Sequence, residues 1–122
     1  MKRIIFILLI LSLPAQAKHL HLERKYQAEW CGKYNGVMEY KLNDKTRVDC
    51  LTKNFAVEFD FAPKWAEAIG QSLYYGLMTN HKPAVVLIIE KPEDFKYYER
   101  IKTVADSLHF TLWYIKAPEY KE

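Results

Sequence analysis

Carboxylates inside short apolar segments are the residues of this chain that most clearly suggest chemistry. Glu58 and Asp60 alternate with large apolar residues over 55–61, so they share one face of a predicted strand. Asp49 lies in the preceding segment and joins them if the hairpin register allows. Three carboxylates on one patch repel one another unless a cation compensates them, and their oxygen atoms suit Mg²⁺ or Mn²⁺. The alternative is an ordinary solvated sheet face on which Lys and Arg side chains pair with the acids.

A polar stripe follows these acids on the next predicted helix, over 64–79. Lys64, Glu67, Gln71 and Tyr75 fall within about 80° of one another on that helix. Only two residues join it to the acidic strand, so the stripe is expected beside the carboxylates. A lysine in the first turn can reach a phosphate or an attacking water, and a glutamine and a tyrosine can orient either one. The alternative is the solvent face of a surface helix.

The elements that must position these residues begin with an amphipathic helix over 20–34. Leu22, Tyr26, Trp30 and Tyr34 recur every four residues there and predict its apolar stripe. Three predicted strands follow at 37–42, 47–52 and 55–61. The turns between them are too short for crossovers, which indicates an antiparallel meander.

The second half alternates helices and strands. The helix over 64–79 is followed by a continuously apolar strand at 84–89, which is typical of a central strand covered on both faces. A helix over 94–108, with Asp94 as its N-cap, and a last strand at 110–116 complete the order. The order α-β-β-β-α-β-α-β predicts an α/β domain with a mixed sheet flanked by helices.

Residues 1–17 have the pattern of a secretory signal peptide. Two basic residues precede an apolar run over 4–13, and Ala15-Gln16-Ala17 ends the pattern. We therefore expect a secreted or periplasmic protein with one domain, residues 18–122, and no membrane attachment after signal removal, since a membrane span needs about 20 apolar residues. Loss of Lys2 and Arg3 lowers the net charge from +3 to +1. That charge disfavours a strong non-specific binder of nucleic acid.

Cys31 and Cys50 are the two cysteines of the chain. An even count in an exported protein favours a disulfide, and two buried free thiols are the alternative. The cysteines and the scattered histidines lack the paired spacing of a zinc site. We expect loosely held ends, with His19 and His21 at one end and the residues from Ala117 at the other.

Taken in order, the acidic and helical motifs resemble the PD-(D/E)XK nuclease superfamily. Asp49 corresponds to the first acid of its motif, and 58–60 occupies the place of Glu-x-Lys. Residues 71–75 match the Gln-x-x-x-Tyr of RecB-like nucleases, and the stretch over 47–75 resembles small exported relatives of archaeal Holliday junction resolvases. The resemblance covers about residues 20–90. It implies a restriction-endonuclease-like α-β-β-β-α-β core with an added C-terminal helix and strand.

The resemblance implies a Mg²⁺- or Mn²⁺-dependent endonuclease that hydrolyses phosphodiester bonds of nucleic acid, above all DNA, and that can form a homodimer. The metal ligands would be Asp49, Glu58 and Asp60. Because Asp60 holds the usual lysine position, Lys64 would replace that lysine. The motif residues on the helix, Gln71 and Tyr75, would orient the substrate or the metal ligands.

Further acids and a second function stay open. Glu39 on the first strand is an additional candidate acid, with Glu23 and Glu29 on the first helix as alternatives. Without the usual lysine, the chain can instead be a catalytically inactive nuclease-fold module that binds nucleic acid or a protein partner. Cys50 alternates with Asp49, so a disulfide to a covering first helix would brace the Asp49 strand from behind.

Overall fold

The computed structural model describes residues 18–122, and the predicted signal peptide, residues 1–17, lies outside that range. Three helices and five strands follow one another in the predicted order. They are α1 Glu23–Lys33, β1 Val37–Lys41, β2 Arg47–Leu51, β3 Phe55–Phe61, α2 Trp65–Thr79, β4 Lys82–Ile89, α3 Phe95–Leu108 and β5 Thr111–Lys116. Single 3₁₀ turns directly precede α2 and α3. Over 18–122, no helix is long and apolar enough to cross a membrane.

All five strands form one mixed sheet in the order β1-β2-β3-β4-β5. The first three pair antiparallel through short turns, whereas β3, β4 and β5 are parallel. Parallel neighbours need crossovers, which α2 and α3 provide. The predicted α/β class and mixed sheet are confirmed, and β4 is the buried central strand that its apolar run predicted.

The helices cover both faces of the sheet. On one face, Val57 and Phe59 of β3 pack with Val86 of β4 and with Cys31 of α1. On the other face, alternate β4 residues pack against α2 and α3. That second cluster contains Val85, Leu87, Ile89, Ala68, Ile101 and Ala105. The acids that alternate with Val57 and Phe59 on β3 therefore belong to the α2 face.

The predicted apolar stripe of α1 is partly wrong. Tyr26 is buried, but Leu22 is 80% exposed and Tyr34 is 50% exposed, and the helix begins only at Glu23. Gln27 and Cys31 are buried instead. The disulfide explains this rotation, because it ties α1 to the sheet through Cys31.

The predicted disulfide is confirmed: Cys31 is bonded to Cys50, with their Cα atoms 5.8 Å apart. Both cysteines are fully buried on the α1 face with Val57 and Phe59. The bond therefore fastens α1 behind β2, on the face opposite the Glu58 side chain.

Both ends of the described chain are held to the fold, so the expectation of loose ends is wrong. The His19 ring stacks on Phe61 with centroids 3.5 Å apart, and its Nδ1 lies 2.5 Å from Glu90 Oε1. His21 Nε2 likewise lies within hydrogen-bond distance of the Glu119 carboxylate, near the other end of the chain. At the other end, Ala117 is buried and its N–H donates to the Ile89 carbonyl.

Asp94 does not cap α3 as predicted. Its side chain accepts hydrogen bonds from the N–H groups of Glu90 and Lys91, which precede it. A 3₁₀ turn separates β4 from α3. The carboxylate therefore stabilises the entry to that turn and not the first turn of α3.

Gly36 is required by the disulfide beside it. A Cβ at this position would overlap the Cys50 sulfur and lie 2.7 Å from the Cys31 sulfur. We predict that Gly36→Ala lowers the free energy of unfolding by about 1–3 kcal/mol, the usual cost of overpacking a filled site. Urea denaturation of the oxidised protein measures the difference.

Gly32→Ala is the matched control for this substitution. A Cβ at Gly32 meets no atom within 4 Å, and the residue lies within α1. Because alanine favours helices over glycine by about 1 kcal/mol, Gly32→Ala should leave stability unchanged or raise it. Equal urea midpoints for the two variants would contradict the role assigned to Gly36.

Candidate active site

The candidate site lies where β2 and β3 separate. The two strands form ladder pairs only beside their turn, Cys50 with Val57 and Leu51 with Ala56. Beyond these pairs, the Phe59 N–H donates to Asp49 Oδ2 at 2.8 Å, and the Asp49 N–H donates to Glu58 Oε1 at 3.2 Å. Two carboxyl groups thus replace ladder carbonyls as hydrogen-bond acceptors. This satisfies backbone donors that the separation would otherwise leave unpaired.

The backbone of β1 departs from extended geometry at Glu39, across from Asp49 of β2. Glu39 lies between the ladder pairs Met38–Cys50 and Tyr40–Val48, and its φ is 52°, in the left-handed region. A non-glycine residue in that region costs about 1–3 kcal/mol and is common where a fold positions functional groups. Side-chain alternation along β2 also breaks here. Val48 packs with Tyr75 of α2, whereas Cys50, two residues later, lies on the α1 face.

Asp49 and Glu58 form a buried carboxyl pair. Glu58 is 3% exposed, and Asp49 is half-buried. Burial is the main cause that raises the pKa of both groups, and the negative charge of Asp49 raises that of Glu58 further. Their shared side-chain hydrogen bond raises the pKa of Glu58 and lowers that of Asp49. The pair therefore retains one shared proton at neutral pH.

No cation neutralises this pair within the described chain. The salt bridges found over 18–122 do not include Asp49 or Glu58. A buried carboxylate without a cationic partner is costly, and the retained proton removes part of that cost.

Asp60 lies on the same face of β3 as Glu58, near the charge of Lys64. Asp60 is buried, and burial followed by the charge of Glu23 raises its pKa to about 7. Lys64 opposes this rise, and Glu67 of α2 adds to it. The structure thus places Lys64, the first residue of the predicted polar stripe, near Asp60 of β3. The Lys64 side chain itself is exposed.

Glu23 is the first-helix acid that reaches the site. Its charge raises the pKa of Asp49, Glu58 and Asp60, and burial raises its own pKa. Glu39 lies close enough to raise the pKa of Asp49. Glu29 is exposed, and its charge raises the pKa of Tyr26, whereas Glu23 is the first-helix acid that acts on the carboxylates.

Gln27 is a site residue that the sequence reasoning missed. Its Nε2 donates to Glu23 Oε1 at 2.8 Å, and its buried Oε1 has no hydrogen-bond partner among the described residues. The available signal was its spacing of four residues from both Glu23 and Cys31, which places the three on one side of α1.

The two remaining motif residues differ in burial. Tyr75 is buried against Val48, and burial followed by the charge of Glu58 raises its pKa. Gln71 lies one turn earlier on α2 and is exposed. No hydrogen bond within residues 18–122 links the Gln71 side chain to a carboxylate.

The predicted three-carboxylate metal site is not assembled in the structure. In the part of the chain that the structure describes, no three His, Cys, Asp or Glu side chains are grouped to hold an ion together. Asp49 and Glu58 contact each other, while Asp60 lies beside Lys64. The arrangement offers two adjacent carboxyl groups rather than three.

The chain matches no protein-family model, no curated protein and no solved structure. The functional argument therefore depends on the motif residues and on the geometry around them.

The raised pKa of Asp60 predicts a pH-dependent stability. An acid whose pKa rises from 3.8 to about 7 on folding stabilises the fold while protonated, and this contribution is lost as pH rises through about 7. We expect the stability of Asp60→Asn relative to the natural chain to rise by about 3 kcal/mol between pH 5 and pH 8.5, since the two pKa units between pH 5 and the pKa of about 7 each equal about 1.4 kcal/mol. Urea denaturation at the two pH values measures this gain.

Asp106→Asn serves as the control, because Asp106 is exposed and pairs only with Lys102 on the surface of α3. The pH dependence of its free energy of unfolding should parallel that of the natural chain. If Asp60→Asn also gave a parallel profile, the buried, protonated state assigned to Asp60 would be wrong.

Proposed function

We propose that this chain is an exported, divalent-cation-dependent nuclease with a restriction-endonuclease-like core. The observation that carries the proposal is the Asp49–Glu58 pair: buried Glu58 and half-buried Asp49 lie side by side, and neither forms a salt bridge within residues 18–122. A structural ion pair would have needed a lysine or arginine partner. A cation site accounts for both the burial and the missing partner.

The chemistry of the pair fits Mg²⁺ or Mn²⁺. Mg²⁺ is commonly held by one or two carboxylates, with water and substrate phosphate completing its shell, so a third protein ligand is not required. Asp49 and Glu58 would hold the ion, which when bound would polarise the phosphate and lower the pKa of a bound water.

Other residues of the site have roles that follow from their positions. The ammonium group of Lys64, exposed at the start of α2, can stabilise negative charge on the scissile phosphate. Asp60, whose pKa is about 7, can accept or release a proton near neutral pH. Exposed Gln71 is available to the substrate, while buried Tyr75 supports the β2 side of the site.

Two further observations support the proposed superfamily and the proposed export. The order α-β-β-β-α-β, with Asp49 on β2, the acids on β3 and the Gln-x-x-x-Tyr residues on α2, follows the motif of the resembled superfamily. The Cys31–Cys50 disulfide is compatible with an oxidising compartment. DNA is the substrate to test first, and a homodimer is the assembly to test first.

The second candidate function is a nuclease-fold module that binds nucleic acid or a protein without cutting. The observation that favours it is Asp60 in the motif's lysine position, together with the lack of a three-ligand cluster over 18–122. The two functions differ in turnover, not in fold.

We predict metal-dependent cleavage of supercoiled plasmid or single-stranded DNA by the oxidised protein of residues 18–122. EDTA should stop it, and Glu58→Gln should reduce it at least 100-fold because the amide cannot supply a carboxylate ligand. Lys64→Ala should slow it about 100-fold, the typical loss on removing one charge-stabilising donor. A gel assay in Mg²⁺ or Mn²⁺ measures the rates.

Glu99→Gln on α3 is the matched control, since Glu99 is exposed and remote from the carboxylates. It should cut at the natural rate. Mg²⁺ binding without cutting on any substrate would favour the non-catalytic module. Cutting that survives Glu58→Gln would show that the pair is not the metal site.

A further inference from the structure

A second concave site lies on the opposite side of the sheet from Glu58. Because the short helix α1 packs over β1, β2 and β3, the α1-side residues of β5 stay partly uncovered. The result is a groove of about 570 Å³ between the end of α1, the β2–β3 turn and β5. We call it the α1–β5 groove; it is lined by Trp30, Lys33, Tyr34, Thr52, Lys53, Asn54, Phe55, Trp113, Tyr114 and Ile115.

Aromatic rings form the wall of the α1–β5 groove. Trp113 lies 5.5 Å from Trp30 and 5.1 Å from Phe55, measured between ring centroids, and Tyr34 packs on Trp30 at 4.4 Å. Trp30, Phe55 and Trp113 are only partly buried, and Tyr34 is half exposed. Ring surface therefore remains available for stacking.

The charge of the groove is positive. Lys33 and Lys53 line it, and its lining contains no Asp or Glu. Neither lysine forms an ion pair within the part of the chain that is described. A smaller adjoining pocket of about 220 Å³ adds Lys116 together with Glu29. The groove thus combines stacking surface with two lysines that form no ion pair over residues 18–122, on a domain that is otherwise nearly neutral.

We propose that the α1–β5 groove binds single-stranded nucleic acid, with unpaired bases stacked on Trp30 and Trp113 and phosphates beside Lys33 and Lys53. Aromatic platforms with flanking cations are the general means of holding single strands, because every base has a π face. Duplex bases are already stacked on one another and cannot enter a recess of this kind.

The groove is separate from the carboxylates. Phe55 and Glu58 are three residues apart on β3, roughly 10 Å along the strand, and they face opposite sides of the sheet. The groove is therefore an anchoring site, and its occupancy does not depend on metal or on cleavage. Failure of the proposed nuclease activity would leave the binding measurement unaffected.

Binding is tested with residues 18–122, oxidised, in EDTA, using fluorescence anisotropy of a labelled oligothymidine. The same oligomer in a duplex and inorganic polyphosphate are the comparison probes. We expect the single strand to bind at least tenfold more tightly than either. Two phosphate contacts should give a slope of about −1.4 for log K against log salt, from about −0.7 per contact.

Charge-reversal variants test the lysines. Lys33→Glu with Lys53→Glu should weaken binding at least tenfold and flatten the salt dependence. Lys96→Glu with Lys121→Glu changes the net charge equally at exposed sites outside the groove and should bind as the natural chain does. Equal losses in the two double variants would overturn the proposal, since binding would then follow net charge alone.

Stacking is tested at Trp113. Trp113→Ala should weaken binding about tenfold, as loss of one base–aromatic contact does, while Trp113→Phe should retain most of it. If the alanine variant does not fold, quenching of tryptophan fluorescence by the oligomer in the natural chain is compared with that in Trp113→Phe, and the quenching should fall in the variant because its Trp113 signal is removed. Equal binding of polyphosphate, preference for the duplex, or no binding of the single strand would each overturn the proposal.

Discussion

The separation of β2 from β3 after two ladder pairs is the constraint on which the rest of the site depends. A parting sheet leaves backbone N–H groups without partners, and Asp49 and Glu58 accept two of them. Doing so buries both carboxyl groups, and the low polarity of the site makes one of them retain a proton. The same two side chains thus accept the hydrogen bonds that the separated strands need and form a reactive pair of acids.

The surrounding elements hold this arrangement from both sides. Behind it, the disulfide ties α1 to β2. Glu23 of α1, which accepts a hydrogen bond from Gln27, lies near enough for its charge to raise the pKa of the acids. On the other face, the 3₁₀ turn after β3 leads directly into α2 and keeps Lys64 beside Asp60. Because α1 is short, it leaves the aromatic residues of β5 partly uncovered.

Much of this fold follows from local sequence patterns. Alternating residues over 55–61, the apolar run at 84–89 and the short turns predicted the five strands and the antiparallel pairing of the first three, because those signals are local. The disulfide also followed from cysteine count and the signal-like N-terminus. The structure brings the motif residues Asp49 and Glu58 together and places Lys64 near Asp60. The roles of these residues in a site stay predictions.

The parts that sequence did not predict depend on long-range contacts. The face of α1 was misjudged because Leu22 and Tyr34 continue a helical stripe, whereas a covalent bond from Cys31 sets the rotation. Glu39 in the left-handed region and the break of alternation at Asp49 have no local signal. His19 and Ala117 looked like loose ends since their partners, Phe61 and Ile89, are distant in sequence.

Proton release on Mg²⁺ binding tests the central claim most directly. Isothermal titration calorimetry at pH 8.5, in two buffers of different ionisation enthalpy, counts the protons, and Asp60 with its pKa of about 7 is already ionised there. We expect about one proton released per Mg²⁺ bound, because the ion replaces the proton that Asp49 and Glu58 share, and we expect Glu58→Gln to abolish the release. Mg²⁺ binding without proton release, release unchanged in Glu58→Gln, or no Mg²⁺ binding at all would contradict a cation site at this pair.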